Sequence, residues 1–236
     1  MRPIHLIVPA APGGGTDIAA RSFVPALQDN LGQPVVIENR GGAGGIIGTD
    51  VVAKAAPDGY TLLLCYVSHA TNPTLAAKLP YDTLRDFAPI TLVAHEPTLL
   101  VTHPSVQAST LAEFIAWAKE RGGKLSYATD PGSAGFLAGE LFKQQAGVSA
   151  EYIPYKGSGV VSGWYGLLAP AKTPKAVIDR VHAAAAKALQ NEAVLARLAT
   201  SGSLPIGAGP EQLDAHIRRE IARWDKVLKA AGVQLK

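Results

Sequence analysis

A single cysteine, Cys65, occurs in the 236 residues, so an internal disulfide and any cysteine-rich metal site are excluded. It stands in Thr61-Leu-Leu-Leu-Cys-Tyr-Val67, an apolar run of strand length, where it reads as a small core hydrophobe. Charge is also sparse. Only 17% of residues are charged, and the 22 basic and 19 acidic side chains are scattered, leaving a net charge of +3 and no basic footprint for a nucleic-acid partner. No uncharged apolar run approaches the ~20 residues that a membrane span needs. The six histidines, His5, His69, His95, His103, His182 and His216, show no pairing at i+3 or i+4, so neither a metal nor another cofactor is expected. Catalytic templates fail as well. Ile18 and Ile47 stand where G-x-G-x-x-G needs its third glycine, no Walker Lys-Ser/Thr follows a glycine loop, and Gly157-Ser-Gly159 is too short for a nucleophile elbow. No catalytic residue is assigned. Met1-Arg-Pro-Ile4 runs straight into an apolar stretch without the regions of a signal peptide, which fits either a cytosolic protein or a mature form.

What is present is a 47% hydrophobic chain with 24 glycines and 17 prolines, long enough for a substantial core. Ile4 to Val8 reads as a strand, the segment to Gly15 as a glycine-rich loop, and Thr16 to Asn30 as a helix. A strand at Val35 to Glu38, the loop at 39–45, a helix over Ile46 to Ala55, the turn at Pro57-Asp-Gly59 and the strand at Thr61 to Val67 follow. This alternation predicts βαβ units and a mainly parallel sheet. Two apolar stretches, Ile90 to Val93 and Thr98 to Val101, then carry the chain toward a second unit. There Thr110-Leu-Ala-Glu113 is a capping box opening a helix to about Arg121. Leu125 to Ala128 reads as a strand, 129–135 as a small-residue loop, and Phe136 to Gln145 as a helix. Beyond it lie a strand at Trp164 to Ala169, a helix begun by Thr173-Pro174, and an amphipathic helix over Pro210 to Ala231 with Leu213, Ile217, Ile221, Trp224 and Leu228 on one face.

Two loops place glycines and hydroxyls just before a helix, where free N–H groups and the macrodipole favour an anion. In Pro12-Gly-Gly-Gly-Thr16, three consecutive glycines remove every Cβ that would block a ligand from the backbone. Taken alone the loop reads equally as a flexible turn. Gly132-Ser-Ala-Gly135 is the weaker case, and Gly41 to Gly45 reads better as a turn packed on the sheet. Asp17 is read as a helix cap before a ligand contact, and Asn72-Pro73 as a turn before a ligand contact. A cleft of neutral donors with few titratable groups suits holding a ligand rather than transforming it.

The blocks Ile7-Val-Pro-Ala-Ala-Pro-Gly-Gly-Gly-Thr-Asp17, Val36-Ile-Glu-Asn-Arg-Gly-Gly-Ala-Gly-Gly45, Ala56-Pro-Asp-Gly-Tyr-Thr-Leu-Leu-Leu64, Leu79-Pro-Tyr-Asp82, Ala138-Gly-Glu-Leu-Phe142, Ile153-Pro-Tyr-Lys-Gly157 and Trp164-Tyr-Gly-Leu-Leu-Ala-Pro170 recur in order. Together they resemble the Bug/TctC family, the extracytoplasmic solute-binding proteins of tripartite tricarboxylate transporters. The resemblance implies an α/β, two-lobed periplasmic-binding-protein (type II) fold around a ligand cleft, with residues 1–97 and 170–236 forming one lobe and 98–169 the other. It implies a monomeric, periplasmic receptor that takes a small carboxylate (a dicarboxylate, an amino acid or an aromatic acid) and meets membrane permease subunits; the alternatives are a small α/β enzyme binding a phosphate or carboxylate at the glycine-rich loop and a truncated, non-transporting sensor. Carried over by position, the ligand-binding residues are Ala11, Gly14, Gly15, Thr16 and Asp17 in the first loop. Ser68, His69 and Asn72 follow the third strand, and Thr129, Asp130, Gly132, Ser133, Ala134 and Gly135 form the second-lobe loop. Two departures stand out. Phe136 stands where many members carry a polar residue, and a long family segment is missing between Gly159 and Val160, so the second lobe is expected to be incomplete. That segment exceeds the ~30 residues of one βαβ unit. A chain break between Gly159 and Val160 would mean that the residues exist but are absent from the sequence as written; a normal bond within a complete sheet would mean a true deletion.

Overall fold

A computed structural model describes residues 2–129, 133–154 and 163–232. The junction at Gly159 and Val160, and with it the expected chain break, lies outside the described residues. Strands β1 (Ile4–Val8), β2 (Val35–Asn39), β3 (Thr61–Tyr66), β4 (Phe87–His95), β7 (Trp164–Pro170) and β8 (Leu204–Ala208) form one sheet in the order β2-β1-β3-β7-β4-β8. Strands β5 (Ser126–Thr129) and β6 (Glu151–Pro154) form a separate parallel pair.

The order follows from short right-handed crossovers. Helix α1 (Gly15–Leu31) carries the chain from β1 to one side, and α2 (Ile46–Ala53) carries it back past β1 to β3, so the two helices cover opposite faces. Both pairings of β1 are parallel, with Ile4 opposite Val35 and Leu6 opposite Leu62. The expectation of a mainly parallel sheet holds only here: β3–β7, β7–β4 and β4–β8 are all antiparallel. The reason is the route of the chain. It leaves this sheet at the end of β4 and returns through β7, which runs back alongside it.

That route also bears on the expected division of the chain. Residues 164–169, assigned from the sequence to the second lobe, are the β7 strand in the middle of the large sheet, and all seven residues of Trp164–Pro170 are buried. A strand covered on both faces reads as a continuous apolar run, and Trp-Tyr-Gly-Leu-Leu-Ala-Pro is one. We call the elements α4 (Leu111–Glu120), β5, α5 (Ala134–Ala146) and β6, whose two strands pair apart from the large sheet, the second unit.

Three further elements complete the first unit: α6 (Lys175–Ala188), α7 (Glu192–Thr200) and α8 (Pro210–Ala231). Leu213, Ile217, Trp224 and Leu228 of α8 are buried as their spacing requires, with Ile221 partly covered. Helix α7 and strand β8 were not read from the sequence. The first has a legible signal in Asn191, whose side chain accepts from the N–H groups of Ala193 and Val194 at 3.0 and 3.4 Å. The second is a short edge strand containing Pro205, which local propensity argues against. Among the described residues no helix is long and apolar enough to cross a membrane.

Candidate functional site

Because β1, β2 and β3 are parallel, the loops after them leave the same edge of the sheet, each opening into a helix. Helix α1 starts after Gly14, α2 after Gly45, and α3 (Ser68–Leu75) after Val67. Three helix starts are thereby gathered at one edge, where ligands of open α/β sheets bind.

The first loop is held by Asp17. Its carboxylate, 3% exposed, accepts from the Gly13 N–H at 2.9 Å, Arg21 Nε at 2.9 Å and Asn39 Nδ2 at 3.1 Å. Burial opposes the charge, but the bonds from Arg21, Gly13 and Asn39 outweigh it and hold the carboxyl below its ordinary range. Asp17 is thus turned back to fix the loop and fully engaged there, rather than presented to a ligand. Of the three glycines, Gly13 has the positive φ, +80°, while Gly14 has φ −76° and ordinary extended geometry. Ala11 is exposed, Gly14 and Gly15 are half-buried, and Thr16 is fully buried.

The second loop, 41–45, packs against the first as expected of a tight turn. A Cβ at Gly41 would stand 3.1 Å from the Ala11 nitrogen. One at Gly45, where φ is +85°, would stand 3.1 Å from Tyr66 Oη, 3.2 Å from the Pro9 carbonyl and 3.3 Å from Ser68 Oγ. The three loops therefore meet around Gly45. Asn72 secures them: its Nδ2 donates to the Gly44 carbonyl at 3.1 Å. The turn expected at Asn72-Pro73 is instead the second half of α3, since burial of Ala70, Thr71 and Leu75 outweighs the cost of the proline. His69, expected to contact ligand, is 2% exposed and packed edge-on to Phe87 at 5.0 Å and stacked on Tyr81 at 6.5 Å. Burial lowers its pKa to about 4, so it is a neutral core ring behind the site wall.

The second-lobe loop meets the first three through Gly163, just before β7. A Cβ there would lie 3.2 Å from that of Ala134 and 4.0 Å from that of Val67, so the start of α5 stands beside the start of α3. Ser133 caps α5, its Oγ accepting from the Phe136 N–H at 3.2 Å and lying 3.0 Å from Thr129 Oγ1. Gly135 leaves no room for a side chain, since its Cβ would fall 2.7 Å from Thr129 Oγ1. Phe136 turns into the second unit against Tyr152, 4.8 Å between centroids. Asp130 and Gly132 lie outside the described residues. Neither Gly45 nor Gly163 was among the expected site residues; a glycine immediately before a helix or a buried strand was the available signal.

No lysine or arginine stands in 9–16, 41–45, 67–68 or 133–135, and among the described residues no group of three His, Cys, Asp or Glu side chains could hold a metal. The arrangement offers neutral donors and four helix starts.

Comparison with known proteins places this geometry. Protein BugT of Bordetella pertussis (strain Tohama I) is 35% identical over 296 aligned positions, covering 100% of this chain and 91% of the relative. Since this chain has 236 residues, about 60 of those positions have no counterpart in it. Among solved structures, the periplasmic binding protein BugD superposes with a TM-score of 0.81 at 29% identity, over 100% of this chain and 99% of its own. R. palustris Rpa4515 with adipate superposes with a TM-score of 0.86 at 30% identity, over 99% and 98%. The two-lobed periplasmic-binding-protein fold is therefore that of this chain. The family profile matches in two stretches, 19–163 and 158–233, which meet where the missing segment was inferred. The chain belongs to the tripartite tricarboxylate transporter receptor family, TctC.

Proposed function

We propose that this protein is a periplasmic receptor that captures a small carboxylate at the junction of its two units and hands it to the permease subunits of a tripartite transporter. The observation that carries the reading is the convergence of the α1, α2, α3 and α5 starts, with backbone and hydroxyl donors and no lysine or arginine in 9–16, 41–45, 67–68 or 133–135. Each helix start contributes ~0.3–1 kcal/mol toward an anion, and more where water is excluded. The adipate in the Rpa4515 structure supports the ligand class. The contacts proposed are the backbone of Ala11, Gly14 and Gly15, the hydroxyls of Thr16 and Ser68, and the Ser133 to Gly135 start of α5. Asp17, His69 and Asn72 act as supports behind them. Asp130 and Gly132 remain proposed contacts on the strength of the family pattern alone.

The test is a thermal-shift screen of adipate, malate, succinate and their amides against the intact chain. A ligand at 100 times its dissociation constant adds ~2.7 kcal/mol of stability. An acid should bind at least tenfold more tightly than its amide, a factor set by ~1.4 kcal/mol. Equal binding of acid and amide in calorimetry would remove the helix starts as the recognition element.

A further inference from the structure

The two units are joined by two segments. The chain leaves the large sheet after His95 and re-enters it at Gly163, and the Glu96 N–H donates to the Gly163 carbonyl at 2.9 Å as the last rung between them. His95 and Trp164 are register partners at this point. Any parting of the units pivots here.

Helix α8 lays His216 onto the pivot. Its ring is edge-on to Trp164 at 4.8 Å and to His95 at 5.1 Å. The same helix reaches the second unit, where Gln144 Nε2 donates to the Val227 carbonyl at 3.0 Å. Both His216 and Trp164 are more than nine-tenths buried, and His216 Nε2 and Trp164 Nε1 have no hydrogen-bond partner among the described residues. A proton added to His216 would therefore have no acceptor at Nε2. We propose that His95 and His216 form a proton-operated latch, which clamps the pivot through Trp164 while both rings are neutral and lets the two units part when they take up protons.

The surrounding charges are few and mostly engaged. Glu220 on α8 accepts from Trp224 Nε1 at 2.7 Å and lies 3.7 Å from Arg223, while Glu96 accepts from Tyr165 Oη at 2.9 Å. Burial lowers the pKa of both histidines, to about 4 for His216. Glu220 opposes the shift, and His95 and Arg219 add to the lowering at His216. With folded values below the ordinary 6.5, the parted state binds more protons between pH 6.5 and about 4, so the latch loosens as pH falls through that window. This device operates whatever ligand the cleft takes.

The experiment follows the intact chain without ligand by small-angle scattering, tryptophan emission and far-ultraviolet circular dichroism from pH 7.5 to 4. The expected result is a rise in radius and a loss of emission, since an imidazolium beside Trp164 quenches it, while helical content holds. His216→Phe, which keeps a ring but cannot take a proton, should lose this step. Should that variant not fold, proton NMR titration of the His216 ring in the unsubstituted chain reads the same coupling: its midpoint should coincide with the radius change. An unchanged pH step in His216→Phe, a ring midpoint separate from the expansion, or a constant radius over the window would each overturn the latch.

Discussion

The large sheet and the β5–β6 pair are built from similar strand, loop and helix sequences but reach different degrees of closure. Strand β7 is buried along its whole length and β3 from Leu62 to Tyr66, whereas β5 alternates exposed and half-buried. The apolar segment Thr98 to Val101, read with Ile90 to Val93 as carrying the chain toward the second unit, contrasts with it in structure. It has no regular structure, and Leu99, Leu100 and Val101 are 79%, 58% and 82% exposed. Together with α4, β5 and α5 this segment lines a cavity of about 820 Å³. Similar local sequences thus give a core in one unit and an open groove in the other. What differs is the number of strands available to cover an apolar face, and two strands are marginal alone. BugT aligns over about 60 more positions than this chain has, and the two stretches of the family profile adjoin at residues 158–163, shortly after this second unit.

The sharpest test of the contrast is truncation in the better core. Leu167 is fully buried within β7, so Leu167→Ala should destabilise the chain by ~2–5 kcal/mol in urea unfolding, through lost transfer energy and a cavity. A loss below ~1 kcal/mol would mean that the large sheet is no better packed than its neighbour.

Next in size is the anchor of the first loop. Asp17→Asn removes charge-assisted bonds to Arg21, Gly13 and Asn39, at a cost of ~1.5–3 kcal/mol at neutral pH. The folded-state pKa of Asp17 is lowered, so its contribution is present above the ordinary value of 3.8 and is lost as pH falls below it. Urea unfolding at pH 7 and pH 3 should therefore show the variant and the parent converging in acid. A gap that stays constant with pH would mean that Asp17 acts by shape and not by charge.

In the second unit the corresponding local device is the capping box of α4. Thr110 Oγ1 accepts from the Glu113 N–H at 3.2 Å, and Glu113 returns a bond to the Thr110 N–H at 3.2 Å. Thr110→Ala should cost ~1 kcal/mol. Hydrogen exchange should place the loss in 111–120 and leave the large sheet unchanged, if the two units respond separately.

Most of the large sheet was legible because strand, glycine and helix follow one another there at short range. The same locality made the Thr110 cap and the α8 face readable. What escaped depended on distant partners. The antiparallel placement of β7 is set by β4, 69 to 83 residues away along the paired register, and nothing within Trp164 to Pro170 records direction. His69 follows a strand as a ligand contact would, yet Tyr81 and Phe87 enclose it. Asp17 was expected as a helix cap, but Gly14 takes the N-cap position without a side-chain bond, and the engagement of Asp17 by Asn39 needed the β1–β2 pairing to be known.

The smallest expected effect bears most directly on the open unit. Leu99 and Val101 are exposed by 79% and 82%, so replacing both by threonine removes little buried area. Surface changes of this kind lie within about 0.5 kcal/mol per site. Two such sites are close enough to share surroundings, so their sum is read from the double variant itself. Urea unfolding of Leu99→Thr/Val101→Thr should therefore match the parent within about 1 kcal/mol, while solubility improves as the apolar run shortens. A loss comparable to that of Leu167→Ala would show that the segment is covered in solution. The contrast between a closed and an open unit would then belong to the isolated chain and not to the protein at working concentration, and dilution of the parent should expose it as a concentration-dependent midpoint.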